Sequence, residues 1–418
     1  LRLLYCDQKG NFFDHPYLKA AGRSGRSFAE LTPDDMIPLP DGASLVMLPG
    51  CQPVGMKKGR LVRMESDPQG GGPVWAVGAL LPQGYTRTWL PGYIKPPRAN
   101  LLPLYGYTAV AWHKGSVWVA ARLTDDPQRW DPANYESSRL PQIVRQRLDA
   151  SPGNRILAQL ATCTLQYRCF TATNIFLQRW EGGVPVSPVC NARCLGCISR
   201  QPAGCCPAPQ SRINFRPDVA EVVEVMSEHL QAAGPEGIIS FGQGCEGDPA
   251  LAWPVVSESI ARVRRLVTQG TINMNTNAGH TAGVEAICRA GLDAIRVSMI
   301  SARPQVYHAY YRPAGYQLTD VIKSIETARS LGVQVSLNLL ALPGLTDLPL
   351  EMAAWQEFLQ SGLVNMVQLR NLNIDPDYLL ARLPGLGQAA PAGMDAFLQM
   401  LEQIPGLKVG NFTHPVGR

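Results

Sequence analysis

From about residue 183 the sequence alternates between short apolar runs and longer amphipathic segments. The runs at 184–189, 237–241, 271–276, 294–300, 334–341 and 365–372 read as strands. Helices fit between them at 217–231, 251–268, 283–290, 318–331 and 350–359, and a last one at 394–404. Such alternation implies a parallel sheet with right-handed crossovers. Six units predict an α/β fold built on an open, partial (β/α)6 TIM-like barrel. The short run Lys408-Val409-Gly410 leaves room for a further strand, on the way to a full eight-stranded barrel.

Parallel strands buried on both faces are almost uniformly apolar, and several here are not. Asn273, Asn275 and Asn277 recur at period two, as do Arg296 and Ser298, Ser336 and Asn338, and Gln368 and Arg370. Side chains at i and i+2 share one face of a strand, so four strands place polar groups on a common face. Burying amides and a guanidinium without partners is costly. These residues are expected to line a wet or ligand-filled cavity; the competing expectation is an internally satisfied polar network.

The most unusual loops follow these strands at their C-terminal ends, where parallel α/β folds place their sites. After the first strand comes Cys190-Asn191-Ala192-Arg193-Cys194-Leu195-Gly196-Cys197, a C-x3-C-x2-C spacing. After the second comes Gly244-Cys245-Glu246-Gly247-Asp248-Pro249, and after the third Asn277-Ala278-Gly279-His280. Three thiolates on one tight loop hold three irons of a [4Fe-4S] cube and leave the fourth open, whereas ordinary electron carriers use four cysteines. An open iron is a place where a small molecule binds and is reduced. The alternative is a structural zinc site, which needs a fourth ligand; Cys205 or Cys206 is available for that.

With this loop at the end of a first strand, residues 183–411 resemble the radical S-adenosylmethionine (radical SAM) superfamily. The resemblance implies that Cys190, Cys194 and Cys197 bind a [4Fe-4S] cluster whose fourth iron is chelated by SAM. One electron, from a partner such as ferredoxin or flavodoxin, then yields methionine and a 5′-deoxyadenosyl radical, which abstracts hydrogen from a substrate. The segment from Gly244 to Pro249 is similar to the family's Gly-Gly-Glu-Pro motif, which meets the methionine ammonium; extra residues leave either Glu246 or Asp248 for that part. Asn277 and Ser298 resemble contacts to the ribose or carboxylate of SAM, Arg296 and Arg312 are candidates for its carboxylate, and Asn338 for its ribose. Gln368, Arg370, Asn371 and Asn373 fall where substrates of the family lie, with Arg370 and Asn371 expected at the reaction. One position departs from the pattern. The residue before the last cysteine is usually aromatic and packs near the adenine; here it is Gly196, so Ile198 or Phe241 is expected to take over.

Eight further cysteines complete an odd total of 11. Cys245 is a candidate thiyl relay, with a buried small residue as its plain alternative. Cys163 and Cys169, with Cys205 and Cys206, could converge on an auxiliary Fe-S cluster, although no second C-x2-C occurs. Cys288 is expected in a helix core. The histidines carry no metal-binding spacing, and neither a P-loop nor a dinucleotide fingerprint is present.

Residues 1–123 read as a β-rich accessory domain for substrate recognition, 124–182 as a helical connector, and 183–418 as the barrel. Strands are expected at 44–48 and 74–81, and a hairpin across His113-Lys114-Gly115. The net charge of +5 falls entirely within the first 150 residues, a mild excess compatible with a solvated surface or an anionic partner such as RNA. The opening LRLLYCDQKG lacks the features of an export signal, and no apolar run is long enough to cross a membrane. A cytoplasmic location with reduced thiols is the resulting expectation. Substrate classes left open are peptide, RNA and metabolite. A non-catalytic Fe-S or zinc protein, acting in electron transfer or nucleic-acid binding, is the rival reading.

Overall fold

The computed structural model describes residues 1–417 apart from 69–70, 97–98, 103 and 201–207. Its C-terminal half is built on a seven-stranded parallel sheet. The strands run in sequence order: β1 (Glu181–Gly183), β2 (Ile238–Phe241), β3 (Thr271–Thr276), β4 (Ala294–Met299), β5 (Gln334–Ala341), β6 (Met366–Asn371) and β7 (Lys408–Gly410). The expected six strands thus become seven, because Lys408–Gly410 pairs in parallel with β6 from Met366↔Lys408 to Gln368↔Gly410. Crossover helices start where local chemistry allows. Val219–Ala233 opens on a capping box between Asp218 and Glu221; in Thr281–Arg289, His280 Nδ1 accepts from the Gly283 amide.

The first strand lies earlier than the sequence predicts. Residues 184–189 form no strand beyond one ladder bond from Val184 N to Ser240 O (2.9 Å). Pro185 and Pro188 have no amide to donate, and the amides of Val186 and Ser187 are taken by Glu246 Oε2 at 2.7 and 2.9 Å. Phe170–Leu177 is a helix of the 124–182 connector, while the helices at Pro304–Tyr311 and Pro376–Leu380 fall outside the set read from periodicity.

Inward-facing side chains divide into two levels. Low in the sheet, Asn273 donates to Ser240 Oγ and to Asn275 Oδ1, both at 3.0 Å, and Ser240 donates to Glu181 Oε1 at 2.7 Å. That part is an internal polar network. Higher up, polar side chains open onto a cavity. Both sequence expectations therefore hold, at different heights.

The N-terminal region forms a thirteen-stranded antiparallel sheet. Ser44–Leu48 and Val74–Leu80 pair within it, and Val110–His113 and Ser116–Val119 form the hairpin. Lys114 (φ 48°) and Gly115 (φ 83°) make its turn, the positive-φ pair that a two-residue hairpin favours. The N-terminal region, which also holds a separate two-stranded sheet of Tyr85–Arg87 with Ala121–Leu123, is fastened to the C-terminal ends of β5 and β6. Asn371 accepts from Arg87 N (3.0 Å) and donates to Tyr85 O (2.9 Å). Ion pairs join buried Arg23 to half-exposed Asp377, and Lys95 to buried Asp375. Among the described residues no helix is long and apolar enough to cross a membrane.

Candidate functional site

The cysteine loop is held from outside by one short helix. At the C-terminal end of Pro304–Tyr311, the carbonyls of Tyr311 and Tyr310 accept from Arg193 N and Leu195 N, each at 2.9 Å. Arg312, in left-handed backbone at φ 45°, donates its Nε to Arg193 O at 2.8 Å. Cys190, Cys194 and Cys197 all line a cavity of about 360 Å3 at the C-terminal ends of the strands. Burial pushes the Cys190 thiol up to about 11, aided by Asp248, and raises Cys194 as well. Ligation by metal would deprotonate such thiols.

The loop after β2 is fixed by its own carboxylates. Glu246 Oε2 accepts from Val186 and Ser187, and Oε1 accepts from Gly242 N (2.5 Å) and Gln243 N (3.3 Å). Four backbone donors thus tie the strand-to-loop crossing on one side to the motif on the other. Burial outweighs them and raises the Glu246 carboxyl to about 7. Asp248 accepts from Asn277 N (2.7 Å), Thr276 Oγ1 (2.7 Å) and Ala250 N (3.0 Å), and burial raises it too. Both side chains are engaged locally, although both residues reach the cavity wall. Gly242 and Gly247 are required by close approach: a Cβ would stand 1.8 Å from Asn275 O at the first (φ 79°) and 1.9 Å from Val189 O at the second.

Asn277 turns toward the cysteines. Its Nδ2 donates to Asn191 Oδ1 at 2.7 Å and reaches Cys190 Sγ at 3.8 Å. Gly244, Ser298, Asn338, Arg296, Arg370, Asn371 and Asn373 line the same cavity. Gln368 does not; it is buried behind, accepting from Arg296 Nη1 at 2.8 Å. Buried atoms left without partners among the described residues include Asn275 Nδ2, Asn338 Oδ1, Gln243 Nε2 and Arg296 Nε. All four belong to cavity-lining residues. Buried polar atoms are normally satisfied, so a polar ligand is the natural complement of this wall.

Two contributors escaped the sequence. Tyr310 lines the cavity where Gly196 leaves room: a Cβ on Gly196 would lie 2.8 Å from the Tyr310 hydroxyl. Of the two residues expected to replace the missing aromatic, Ile198 is on the wall and Phe241 is in the core. Arg212 extends Nη2 to Cys197 Sγ (3.8 Å) and Ser199 Oγ (2.8 Å). No spacing signals either residue. On its outer side, the loop borders a second cavity of about 430 Å3 flanked by Arg193, Arg200, Arg212 and Arg312. Arg312, a candidate for the SAM carboxylate, is on this outer side and not in the inner cavity.

Cys245 does not line the cavity; it is 3% exposed and packs in the core with Cys163 against its thiol. Cys169 has its thiol against Thr171 Oγ1 (3.3 Å). Cys205 and Cys206, invoked for an auxiliary cluster or a fourth zinc ligand, lie outside the described residues. Among the described residues no three His, Cys, Asp or Glu side chains are arranged to hold a single metal ion.

The donor set suits iron and sulfur: three thiols on one loop, facing a cavity whose remaining wall offers amides, hydroxyls and glycine backbone. Residues 184–355 match the model of the radical SAM superfamily. Residues 184–355 are thus a radical SAM segment. Members bind SAM and a [4Fe-4S] cluster. None of the curated proteins matches the sequence. Similar solved structures include HydG, a maturase of the [FeFe]-hydrogenase, at 14% identity over 68% of this chain and 64% of that one (TM-score 0.38). Methylornithine synthase (PylB) aligns at 13% identity over 67% and 81% (TM-score 0.34). SuiB of Streptococcus suis, bound to its precursor peptide SuiA, aligns at 11% identity over 62% and 53% (TM-score 0.40). The chain thus spans less than two thirds of the HydG chain.

Proposed function

We propose that this protein is a radical SAM enzyme in which Cys190, Cys194 and Cys197 hold a [4Fe-4S] cluster and the adjoining cavity receives SAM. The observation that carries this reading is that all three cysteines open onto one cavity together with the unpartnered polar atoms of Asn275, Asn338 and Gln243. When bound, the cluster supplies the electron that splits SAM into methionine and a 5′-deoxyadenosyl radical, which takes a hydrogen atom from the substrate.

The chain's own residues serve that chemistry by position. Asn277 orients Cys190 through its amide. Glu246 and Asp248 act as positioning residues: saturated by local donors, they fix the backbone of 242–248, whose Gly244 lines the cavity that would receive the methionine end of SAM. Ser298 and Asn338, joined at 3.3 Å, offer a hydroxyl and an amide oxygen to a ribose. Tyr310 and Ile198 supply apolar surface for the adenine. The outer arginines favour an acidic one-electron donor such as ferredoxin or flavodoxin, since complementary charge speeds encounter.

Anaerobic reconstitution with iron and sulfide tests the reading. The expected result is a [4Fe-4S] electron paramagnetic resonance signal that shifts on SAM addition, followed by 5′-deoxyadenosine after reduction. Cys194→Ala should abolish both; Cys288→Ala, in the helix Thr281–Arg289, should leave both. Undiminished deoxyadenosine from the Cys194 variant, or zinc in the anaerobically purified site, would overturn the assignment in favour of the non-catalytic reading.

A further inference from the structure

Beside the cysteine cavity lies a lateral one of about 340 Å3, where the edge of the sheet at β1 faces the chain just beyond β7. Trp130, Tyr167, Phe170 and Phe412 give it an aromatic wall. Arg296 and Arg370 line both cavities, as do Gln243 and Gly244. A molecule seated laterally would therefore have one end within the cysteine chamber.

The two guanidiniums share too few counterions. Arg296 is 8% exposed; its Nη1 donates to neutral Gln368 Oε1 (2.8 Å) and Thr413 Oγ1 (3.2 Å), and its Nε has no partner among the described residues. Arg370 Nη1 donates to Asn411 O (2.6 Å) and Gln83 Oε1 (3.3 Å). Among the described residues no carboxylate forms an ion pair with either. Burial, then repulsion from Arg296, lowers Arg370 to about 10, so it stays charged at neutral pH. The carboxylate that acts on both is Glu181, a residue on the wall of this lateral cavity, whose Oε1 is engaged by the hydroxyls of Ser240 (2.7 Å) and Thr413 (3.2 Å). Among the buried groups of this wall two guanidiniums face one carboxylate, leaving one guanidinium unmatched; Arg168, also on the wall, is exposed and screened by solvent. An uncompensated buried charge is strongly unfavourable, and guanidiniums match carboxylates in shape and donor number.

We propose that the lateral cavity is the substrate subsite and that it takes an organic monocarboxylate, held between Arg296 and Arg370 with its apolar body on Trp130 and Phe412. A monoanion matches the one unpaired buried guanidinium, where a phosphate dianion would overshoot it. That the ligand is the substrate rests on the radical SAM reading; that the site holds a carboxylate does not.

Calorimetric titration of the full-length reconstituted protein with acetate, phenylacetate, indole-3-acetate and inorganic phosphate tests this, with phenethyl alcohol as the uncharged control. At least one aromatic carboxylate should bind saturably, more tightly than acetate, phosphate or the alcohol, and equally in the presence of SAM. Arg296→Gln and Arg370→Gln should each weaken it about tenfold, while Arg289→Gln, exposed at the end of the helix Thr281–Arg289 and away from both cavities, leaves it unchanged. Arg370→Gln should not lower the melting temperature, whereas a purely structural arginine would. The proposal fails if no carboxylate binds up to about 10 mM, if phosphate binds as well, if SAM displaces the probe, or if both glutamine variants bind normally. Carboxylate binding without deoxyadenosine formation would sink the radical reading alone; the converse would sink this proposal alone.

Discussion

The Tyr310 hydroxyl occupies space that any side chain on Gly196 would need, 2.8 Å from the position of a Cβ there. The two residues are complementary: the loop gives up its aromatic, and a helix returns one from the other side. Tyr310 is 2% exposed and its carbonyl also holds Leu195 N, so it has little freedom to withdraw.

Gly196→Ala should therefore strain the cysteine loop by about 1–3 kcal/mol, the usual range for overpacking. Iron content after reconstitution should fall, and so should deoxyadenosine yield. Tyr310→Phe removes the clashing atom; the next neighbours of that Cβ, Ile374 and the Tyr310 ring, are at 3.6 and 3.7 Å, ordinary contact. The double variant should regain most of the iron content lost by Gly196→Ala. Equal loss in the single and double variants would show that the two residues do not share this space.

The comparison of sequence with structure turns on what spacing encodes. Period-two polarity placed Asn275, Arg296, Ser298, Asn338 and Arg370 on one face because strand geometry alone determines that. The cysteine loop was legible because its ligands are contiguous. Glu246 was legible as a residue of the motif, but its four amide partners were not, since two of them lie some 60 residues away. That same long-range demand is why residues 184–189 look like a strand and are not one. Arg212 and Tyr310 reach the site across tertiary contacts and carry no local pattern. Asn371 looked like a substrate contact; besides lining the cavity, it spends both amide groups on the short strand Tyr85–Arg87 of the N-terminal region.

Arg212 places a cation beside Cys197, with Nη2 3.8 Å from Sγ. Nearby charge and hydrogen bonds to sulfur set the potential of an iron–sulfur cluster. Arg212→Gln should lower the midpoint potential of the reconstituted cluster, since the reduced, more negative form loses a stabilising charge. Arg212→Lys should sit between the two. Potentiometric titration followed by electron paramagnetic resonance measures it, and an unchanged or raised potential in the glutamine variant would contradict the placement.

Glu246 makes a prediction about pH. Its carboxyl ionises near 4.5 when unburied and at about 7 in the fold. Between those values the folded state binds more protons than the unfolded one, so its contribution to stability falls as pH rises, then levels above about 7. Glu246→Gln cannot titrate. It also sets an NH2 group against backbone donors, at a cost of about 1–3 kcal/mol. Urea unfolding should show the variant less stable at pH 5, with the gap narrowing by pH 7.5. A gap that widens over this range would mean that the four amides, and not burial, dominate.

The contact between the N-terminal sheet and the barrel passes through two glycines. A Cβ on Gly344 (φ 86°) would stand 1.7 Å from Gly25 N, which donates to Pro343 O at 3.2 Å. Nearby, Ser24 Oγ donates to Asp347 Oδ2 at 3.1 Å. Backbone meets backbone here, so no side chain can swing aside. Gly344→Ala should cost about 3 kcal/mol or more, combining a left-handed φ with overpacking. Gly153, without positive φ and with open space at its Cβ, should tolerate alanine within about 0.5 kcal/mol. If the joint is what orders the two parts, the Gly344 variant should also expose the N-terminal sheet to limited proteolysis at a denaturant concentration where the Gly153 variant remains protected. Loss of stability without new cleavage between the two parts would instead mean that the strain spreads through the barrel and leaves the joint closed.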